Sequence, residues 1–418
     1  MFEKKLFGLD KGGKFKVWNI MVYMADMFGH NHSQPLIVIQ HGQEGGKLTT
    51  KNEFVTVGKQ GRTPYQQAVS QAEGRIKKQL DKNYRESKDE LTAGELPLLP
   101  MLASDYNKVG GRIEFPCYGS VKYDGVRCIA TKHAGQVFLI SRTGQPYDVP
   151  HLEQALNEFM HDGEIFDGEV YLHGQVLQDI TSATKRTDTQ KEIDKVKRDI
   201  AKRGPEYRRP SKDRVENPTL AEELENAELI HRIRPQLKFY IFDIPMDGDF
   251  ATRLRAMDEV HANRKDLLGQ FLEMTDYDIV NGDDSLRSTH HPRSVSWGFE
   301  GYMLRNKKGV YESGKRSGDL QKFKTFIDAE FLILDITEDK EGNAVFVLKN
   351  DLNDNTFTCV MGDMGERKVF LLQKGTLKGK FLNVQFQTRY KGSLLPQFPT
   401  GKYIREGYLV EGTFIPYD

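Results

Sequence analysis

The stretch "SVKYDGVRCIA", Ser120 to Ala130, sets a lysine two residues before an Asp-Gly pair and an arginine two residues after it, behind an apolar strand-like run. Two readings compete. Asp-Gly is a strong signal for a two-residue hairpin, so the charges could flank a solvated turn. Alternatively, Lys122 is a nucleophile and the turn belongs to a phosphate site. The string K-x-D-G-x-R arises by chance in on the order of 1% of chains of this length. Neither reading wins on these residues alone; what surrounds them decides.

Working outward, "RIEFPCYGSVKY", "VRCIATKH", "QVFLISRTG", "IFDGEVYLHG" and "QLKFYIFDI" are short strand-like runs separated by Gly-bearing turns. They predict antiparallel sheet rather than a doubly wound parallel one. This block covers about 100–326. At about 184–232 it is interrupted by a highly charged, helix-forming segment that reads as an insertion off the sheet edge. Ahead of it, residues 1–90 hold the strand-like runs "KFKVWNIMVYM", "PLIVIQHG" and "EFVTVGKQG". Thr63-Pro64 then reads as an N-cap with proline at the first helical position, and Tyr65, Ala68, Ala72 and Ile76 share one helical face. Beyond the central block, 327–418 contains "AEFLILDITED", "AVFVLKN", "TFTCVMG", "FLNVQFQTRY" and "GYLVEG". Their period-2 alternation suits a small barrel. The expected class is α+β, in three domains.

The chain has 418 residues, with 60 Lys+Arg against 60 Asp+Glu. A net charge of zero argues against a uniformly basic nucleic-acid binder. The distribution is uneven, however. Residues 1–88 carry 15 basic against 8 acidic, and residues 185–214 carry 12 against 6. Local basic surfaces on a neutral chain fit a protein that touches a polyanion with selected faces. No run approaches the ~20 apolar residues of a spanning helix. The N-terminus lacks a secretory pattern, so a cytoplasmic protein is expected. Three cysteines without CxxC spacing exclude both a disulfide framework and a four-cysteine zinc site.

Further pieces follow "KYDGVR" in a fixed order. They are "SRTG" (Ser141–Gly144), "FDGEV" (Phe166–Val170), "YIFDI" (Tyr240–Ile244), "FEGYMLRN" (Phe299–Asn306) and "YESGKRSGDLQKFK" (Tyr311–Lys324). Together they resemble the motif set of covalent nucleotidyltransferases, and among these the ATP-dependent DNA ligases of phage type. "PLLPMLASDY" and "VLQDITSATKR" read like the same family. The resemblance implies an antiparallel-sheet adenylation domain followed by an OB-fold barrel. It further implies ATP with Mg²⁺ or Mn²⁺ as cofactors and nicked double-stranded DNA as partner, with a monomer and no membrane contact expected. "KFKVWNI", "IVIQHGQEGGKLTT" and "YQQAVSQAEGRIKKQLDKNY" resemble a WGR-type DNA-binding module, its signature present only as His41-Gly42-Gln43.

The chemistry of the residues agrees. A lysine with its ordinary pKa of about 10.4 is protonated and cannot attack phosphorus. Neighbouring cations and burial lower that value. Lys322 and Lys324 alternate on a strand-like run and are expected to face one pocket; Arg127 and Arg142 add charge. Lys122 is thus the expected nucleophile, and Asp124 is expected to hold it or to help bind the metal. The resemblance implies that Glu169 holds the ribose hydroxyls and also serves as a metal ligand with Glu300. It likewise implies that Phe242 stacks on adenine and that the backbone near Ser120 reads the adenine edge. The family's closing basic motif is incomplete: "QFPTGKYIREGY" supplies Arg405, but Gly407-Tyr408 replaces the final Asp-Lys. The alternatives are an RNA ligase or other polynucleotide nucleotidyltransferase, and a non-catalytic DNA-binding protein.

Overall fold

The strands on either side of the Asp124-Gly125 turn, Cys117–Lys122 and Val126–His133, do not pair with each other. The first lies in a five-stranded sheet, the second in a six-stranded one. "KYDGVR" is therefore not a hairpin; Tyr123 to Gly125 carry the chain from one sheet to the other. The computed structural model describes residues 2–9, 14–24, 34–58, 61–80, 84–91, 98–210, 217–339, 342–390, 393–410 and 413–417. The chain divides into two compact units, Met1–Lys322 and Phe323–Asp418.

In the first unit, Phe2–Leu9, Phe15–Tyr23, Leu36–Gln43 and Thr49–Phe54 form a four-stranded antiparallel meander. Helix Pro64–Leu80 packs on it through Ala68 and Ala72, which meet Leu6, Trp18, Ile20 and Ile37. The helix starts where the sequence predicts. The Thr63 hydroxyl accepts from the Gln66 N–H (3.2 Å), and the Gln66 side chain accepts from the Thr63 N–H (2.9 Å). This reciprocal box satisfies two otherwise orphaned donors. His41-Gly42-Gln43 ends the third strand.

The six-stranded sheet runs Leu272–Met274, Lys238–Asp243, Ile165–Tyr171, Val126–His133, Gln136–Ser141, Pro146–Tyr147. The five-stranded sheet runs Asp278–Val280, Cys117–Lys122, Gly301–Arg305, Arg316–Phe323, Leu102–Asp105. Lys238–Asp243 with Leu272–Met274 and Arg316–Phe323 with Leu102–Asp105 pair in parallel, whereas Cys117–Lys122, Ile165–Tyr171 and Val126–His133 pair antiparallel with both of their neighbours. Helices Pro150–Phe159, Leu177–Lys185 and Leu220–Ile233 cover the six-stranded sheet, burying Phe159, Ile180, Ile230 and Ile233 against Phe166 and Phe239. The charged segment expected off the sheet edge is thus divided. Helix Thr189–Arg203 stands on Leu220–Ile233, whereas the latter sends its apolar face into the main core.

The second unit is a closed barrel of Ile327–Glu338, Ala344–Lys349, Thr356–Met361, Thr400–Arg405 and Phe381–Phe386, in that order around the ring. Phe331, Ile336, Phe346, Leu348, Leu382 and Phe386 fill it. One expected strand is misplaced. "GYLVEG" does not enter the barrel; Gly407–Val410 pairs with Thr413–Pro416 in a separate hairpin. The fifth barrel strand is Thr400–Arg405, whose short polar sequence hides its role. Gly401 is needed there, because a Cβ would come within 2.7 Å of the Met361 Cβ. No described helix is long and apolar enough to cross a membrane.

Candidate active site

Lys122 is the last residue of its strand and stands opposite Gly301 in the antiparallel register. Glu300 therefore lies beside it, and the Glu300 N–H donates to the Lys122 carbonyl at 3.0 Å. The Lys122 ammonium is hydrogen-bonded and ion-paired to the Glu300 carboxylate, which is nearly buried. From the other sheet comes Glu169, opposite Arg127 in the pairing of Ile165–Tyr171 with Val126–His133. Gly125 brings the two sheets together: a Cβ there would come within 2.4 Å of the Val170 carbonyl and 2.8 Å of the Glu169 Cγ. Thus the turn glycine serves close packing against the Glu169 strand and closes no hairpin.

The seam holds a pocket lined by Ser120, Lys122, Tyr123, Arg127, Arg142, Glu169, Phe242, Tyr277, Met303, Arg305, Arg316 and Lys322, among others. Six of these are cationic and one is a carboxylate. Two of the cations are neutralised from behind. Arg127 makes two 2.6 Å bonds to Asp167, whose Oδ2 also accepts from the Tyr311 hydroxyl at 2.6 Å. Arg305 pairs with Asp243 at 2.6 Å, and Arg253 reaches the same carboxylate at 2.7 Å. Both aspartates are wholly buried. Buried charges survive only when paired and hydrogen-bonded in this way. The network also fixes Phe242: the Arg127 guanidinium lies 4.5 Å from the ring centroid and Arg305 lies 5.7 Å from it.

Among the described residues, Arg142, Arg316 and Lys322 line the pocket without an ion pair to a buried acid. Burial pushes the Lys122 amine down from its ordinary range; Glu169 and Asp124 oppose that, and Arg127 adds to it. Burial, reinforced by Lys122, lowers Lys322 as well. Burial raises Glu169 to about 7, although Lys122 and Arg127 hold it down. The pocket therefore joins a poised amine to several cations, which is what a phosphoryl-transfer site requires.

Of the sequence candidates, Ser120, Lys122, Arg127, Arg142, Glu169, Phe242 and Lys322 share this pocket, and Glu300 touches it through Lys122. Asp124 acts on Lys122 only through space; the direct partner is Glu300. Lys324 does not continue the alternation. Its strand ends at Phe323, and Lys324, itself in the second unit, donates its amine to Gln387 of the same unit (3.3 Å). Arg405 lies on the barrel strand Thr400–Arg405, paired with Glu330 at 2.9 Å. Sequence reasoning missed Asp167, Asp243, Arg305, Arg316 and Tyr277. A signal existed for three of them. An aspartate inside an apolar strand, as in "FDGEV" and "YIFDI", calls for a buried cationic partner, and Arg316 has the same strand parity as Lys322.

Among the described residues no three His, Cys, Asp or Glu side chains stand close enough to hold a metal alone. The donor set fits a hard dication of another kind. Mg²⁺ takes one or two carboxylates and completes its shell with water and substrate phosphates. Glu300, ion-paired with Lys122, and Glu169, whose charge acts on Lys122 through space, are carboxylates of that sort.

Residues 100–324 match the family model described as the ATP dependent DNA ligase domain. The DNA ligase of Enterobacteria phage T6 is 25% identical over 264 residues, 58% of this chain and 52% of that protein. The DNA ligase of African swine fever virus (isolate Warthog/Namibia/Wart80/1980) is 25% identical over 315 residues, 71% of this chain and 62% of that protein. The chain spans about half the length of the phage relative it matches. A solved structure from work on Lig E DNA ligases superposes with a TM-score of 0.52 at 20% identity, covering 74% of this chain and 100% of that one.

Proposed function

Since the chain belongs to the family of the ATP dependent DNA ligase domain, we propose that it seals nicks in duplex DNA through a lysyl-AMP intermediate. The observation that carries this reading is the seam pocket. It sets the depressed Lys122 amine among Arg142, Arg316 and Lys322, with Phe242 on its wall.

In the first step the unprotonated Lys122 nitrogen attacks the α-phosphorus of ATP. The N–P bond forms, the P–O bond to the β-phosphate breaks, and pyrophosphate leaves. Glu300 aims the amine, and Arg142, Arg316 and Lys322 neutralise phosphate charge. Phe242, clamped by the Asp167 and Asp243 networks, offers a flat face for adenine, beside the wall at Ser120. In the second step AMP passes to the 5′-phosphate at a nick; in the third, the 3′-hydroxyl displaces AMP. A dication held by Glu169 and Glu300, Mg²⁺ by preference, supplies charge neutralisation when bound; Glu169 also serves the ribose. The barrel of the second unit is read as an OB-fold, with Arg405 as the pyrophosphate-orienting residue of its incomplete closing motif. Residues 1–90 are read as a WGR-like DNA-binding domain, 100–326 as the adenylation domain and 327–418 as the barrel domain. A cytoplasmic monomer completes the reading. A barrel after the paired-lysine run favours DNA over RNA as substrate.

Incubation with α-labelled ATP, GTP or NAD, followed by denaturation and peptide mapping, tests this. Label from ATP on Lys122, abolished in Lys122→Ala, together with sealing of nicked DNA in preference to single-stranded RNA, is expected. Absence of label from any nucleotide in unadenylylated protein refutes it.

A further inference from the structure

The segment 185–214 carries a basic surplus, but the structure neutralises much of it internally. Arg186 pairs with Glu192 (2.6 Å), Lys197 with Glu228 (3.2 Å), and Arg209 with Asp199 (2.6 Å) and Glu223 (2.7 Å). These pairs line the flanks of helix Thr189–Arg203. Its inner face buries Thr189, Ile193 and Val196. At 3.6 residues per turn, Lys191, Lys195, Arg198 and Lys202 fall within about 60° of arc, diametrically opposite that buried face. All four are exposed, and among the described residues none of them is in an ion pair. Asp194, the acid at the stripe's edge, accepts from the Gln190 side chain at 2.9 Å.

This segregation is unlike a merely solvated helix, which mixes both signs on its outer face. The stripe extends about 16 Å along the helix axis. A second feature ties it to the pocket. Arg142 lines both the seam pocket and an adjoining groove bounded by Thr143, Tyr147, Thr184, Lys185 and Thr187. Thr187 lies two residues before the helix begins. The two hollows thus share Arg142, and the second reaches Thr187 near the foot of the stripe.

We propose that Lys191, Lys195, Arg198 and Lys202 form a docking face for the sugar–phosphate backbone of duplex DNA, reached from the seam pocket along the Arg142–Lys185 groove. This rests on the ligase reading and assigns the stripe as a part of its substrate-binding surface. Duplex DNA offers one negative charge per ~1.7 Å of axis, so charge complementarity without base readout is the expected mode.

The test is the affinity of the full chain for a nicked duplex between 50 and 200 mM salt. Three proteins are compared: wild type; K191Q/K195Q/R198Q/K202Q; and the charge-retaining K191R/K195R/R198K/K202R. Glutamine keeps helix propensity, so the fold is retained. Loss of four phosphate contacts lowers the log–log salt slope by about 3 to 4. Across that salt range the wild type then loses about 100-fold more affinity than the glutamine variant. The charge-retaining variant keeps the wild-type slope. An unchanged slope in the glutamine variant, with wild type still sealing nicks, overturns the stripe and leaves the ligase reading standing. A slope change on single-stranded DNA but not on duplex overturns it too. Wild-type protein that seals no nick overturns the ligase reading instead.

Discussion

Replacing Arg127 with methionine removes the partner that keeps Asp167 ionised in a dry interior. Asp167 accepts three bonds, two from Arg127 at 2.6 Å and one from the Tyr311 hydroxyl at 2.6 Å. The variant leaves one. Breaking a buried pair from one side costs about 3–5 kcal/mol, because the remaining charge is uncompensated. The carboxyl can escape by taking up a proton. Burial already pushes its pKa up, with Arg127 and Tyr311 holding it down. Without Arg127 the folded value rises further above the unfolded one. A raised folded pKa means stability that is present at low pH and is lost as pH rises. The deficit should therefore be smaller at pH 5 than at pH 8. Arg127→Met with Asp167→Asn leaves no unpaired charge at this position; it should recover much of the loss and show no such pH dependence. Urea unfolding followed by tryptophan fluorescence reads this directly, since Trp18 and Trp297 both belong to the first unit. A single variant that unfolds at the wild-type midpoint at pH 8, or shows the same deficit at both pH values, refutes the claim that Asp167 is charged and desolvated.

Two other outcomes concern the seam. Gly125→Ala forces a Cβ into the Val170 carbonyl and the Glu169 Cγ; overpacking of this kind costs about 1–3 kcal/mol, and self-adenylylation should fall by at least ten-fold with little change in far-ultraviolet circular dichroism. Glu169, raised to about 7, holds a proton in the folded state that the unfolded chain has released. Its contribution to stability is full below about pH 4.3, the ordinary glutamate value, and is lost as pH rises towards 7. Glu169→Gln should remove that decline, worth at most about 3 kcal/mol, in melts compared at pH 5 and pH 8; a parallel decline in both proteins would falsify the assignment.

Part of this protein was legible in its residues. Period-2 alternation marks the strands, Thr63-Pro64 marks a helix start, and the ordered motif strings carry Lys122, Glu169, Glu300 and Lys322. These signals are local: side-chain period, capping chemistry and short-range spacing are written within a few residues. The tertiary structure decided matters that have no local trace. Asp124-Gly125 looks like a hairpin in sequence, and only strand partners far along the chain show that it bridges two sheets. Arg127 reads as a phosphate-binding cation, yet Asp167, 40 residues away, neutralises it; Asp243 does the same for Arg305 from 62 residues away. The expected alternation of Lys322 and Lys324 fails because the strand ends at Phe323. In the basic segment the sequence shows a surplus of charge, and only the packing of helix Thr189–Arg203 separates paired cations from exposed ones. Which charge meets which partner depends on sheet register and helix orientation, and burial sets what that meeting is worth; neither quantity exists until the chain has folded.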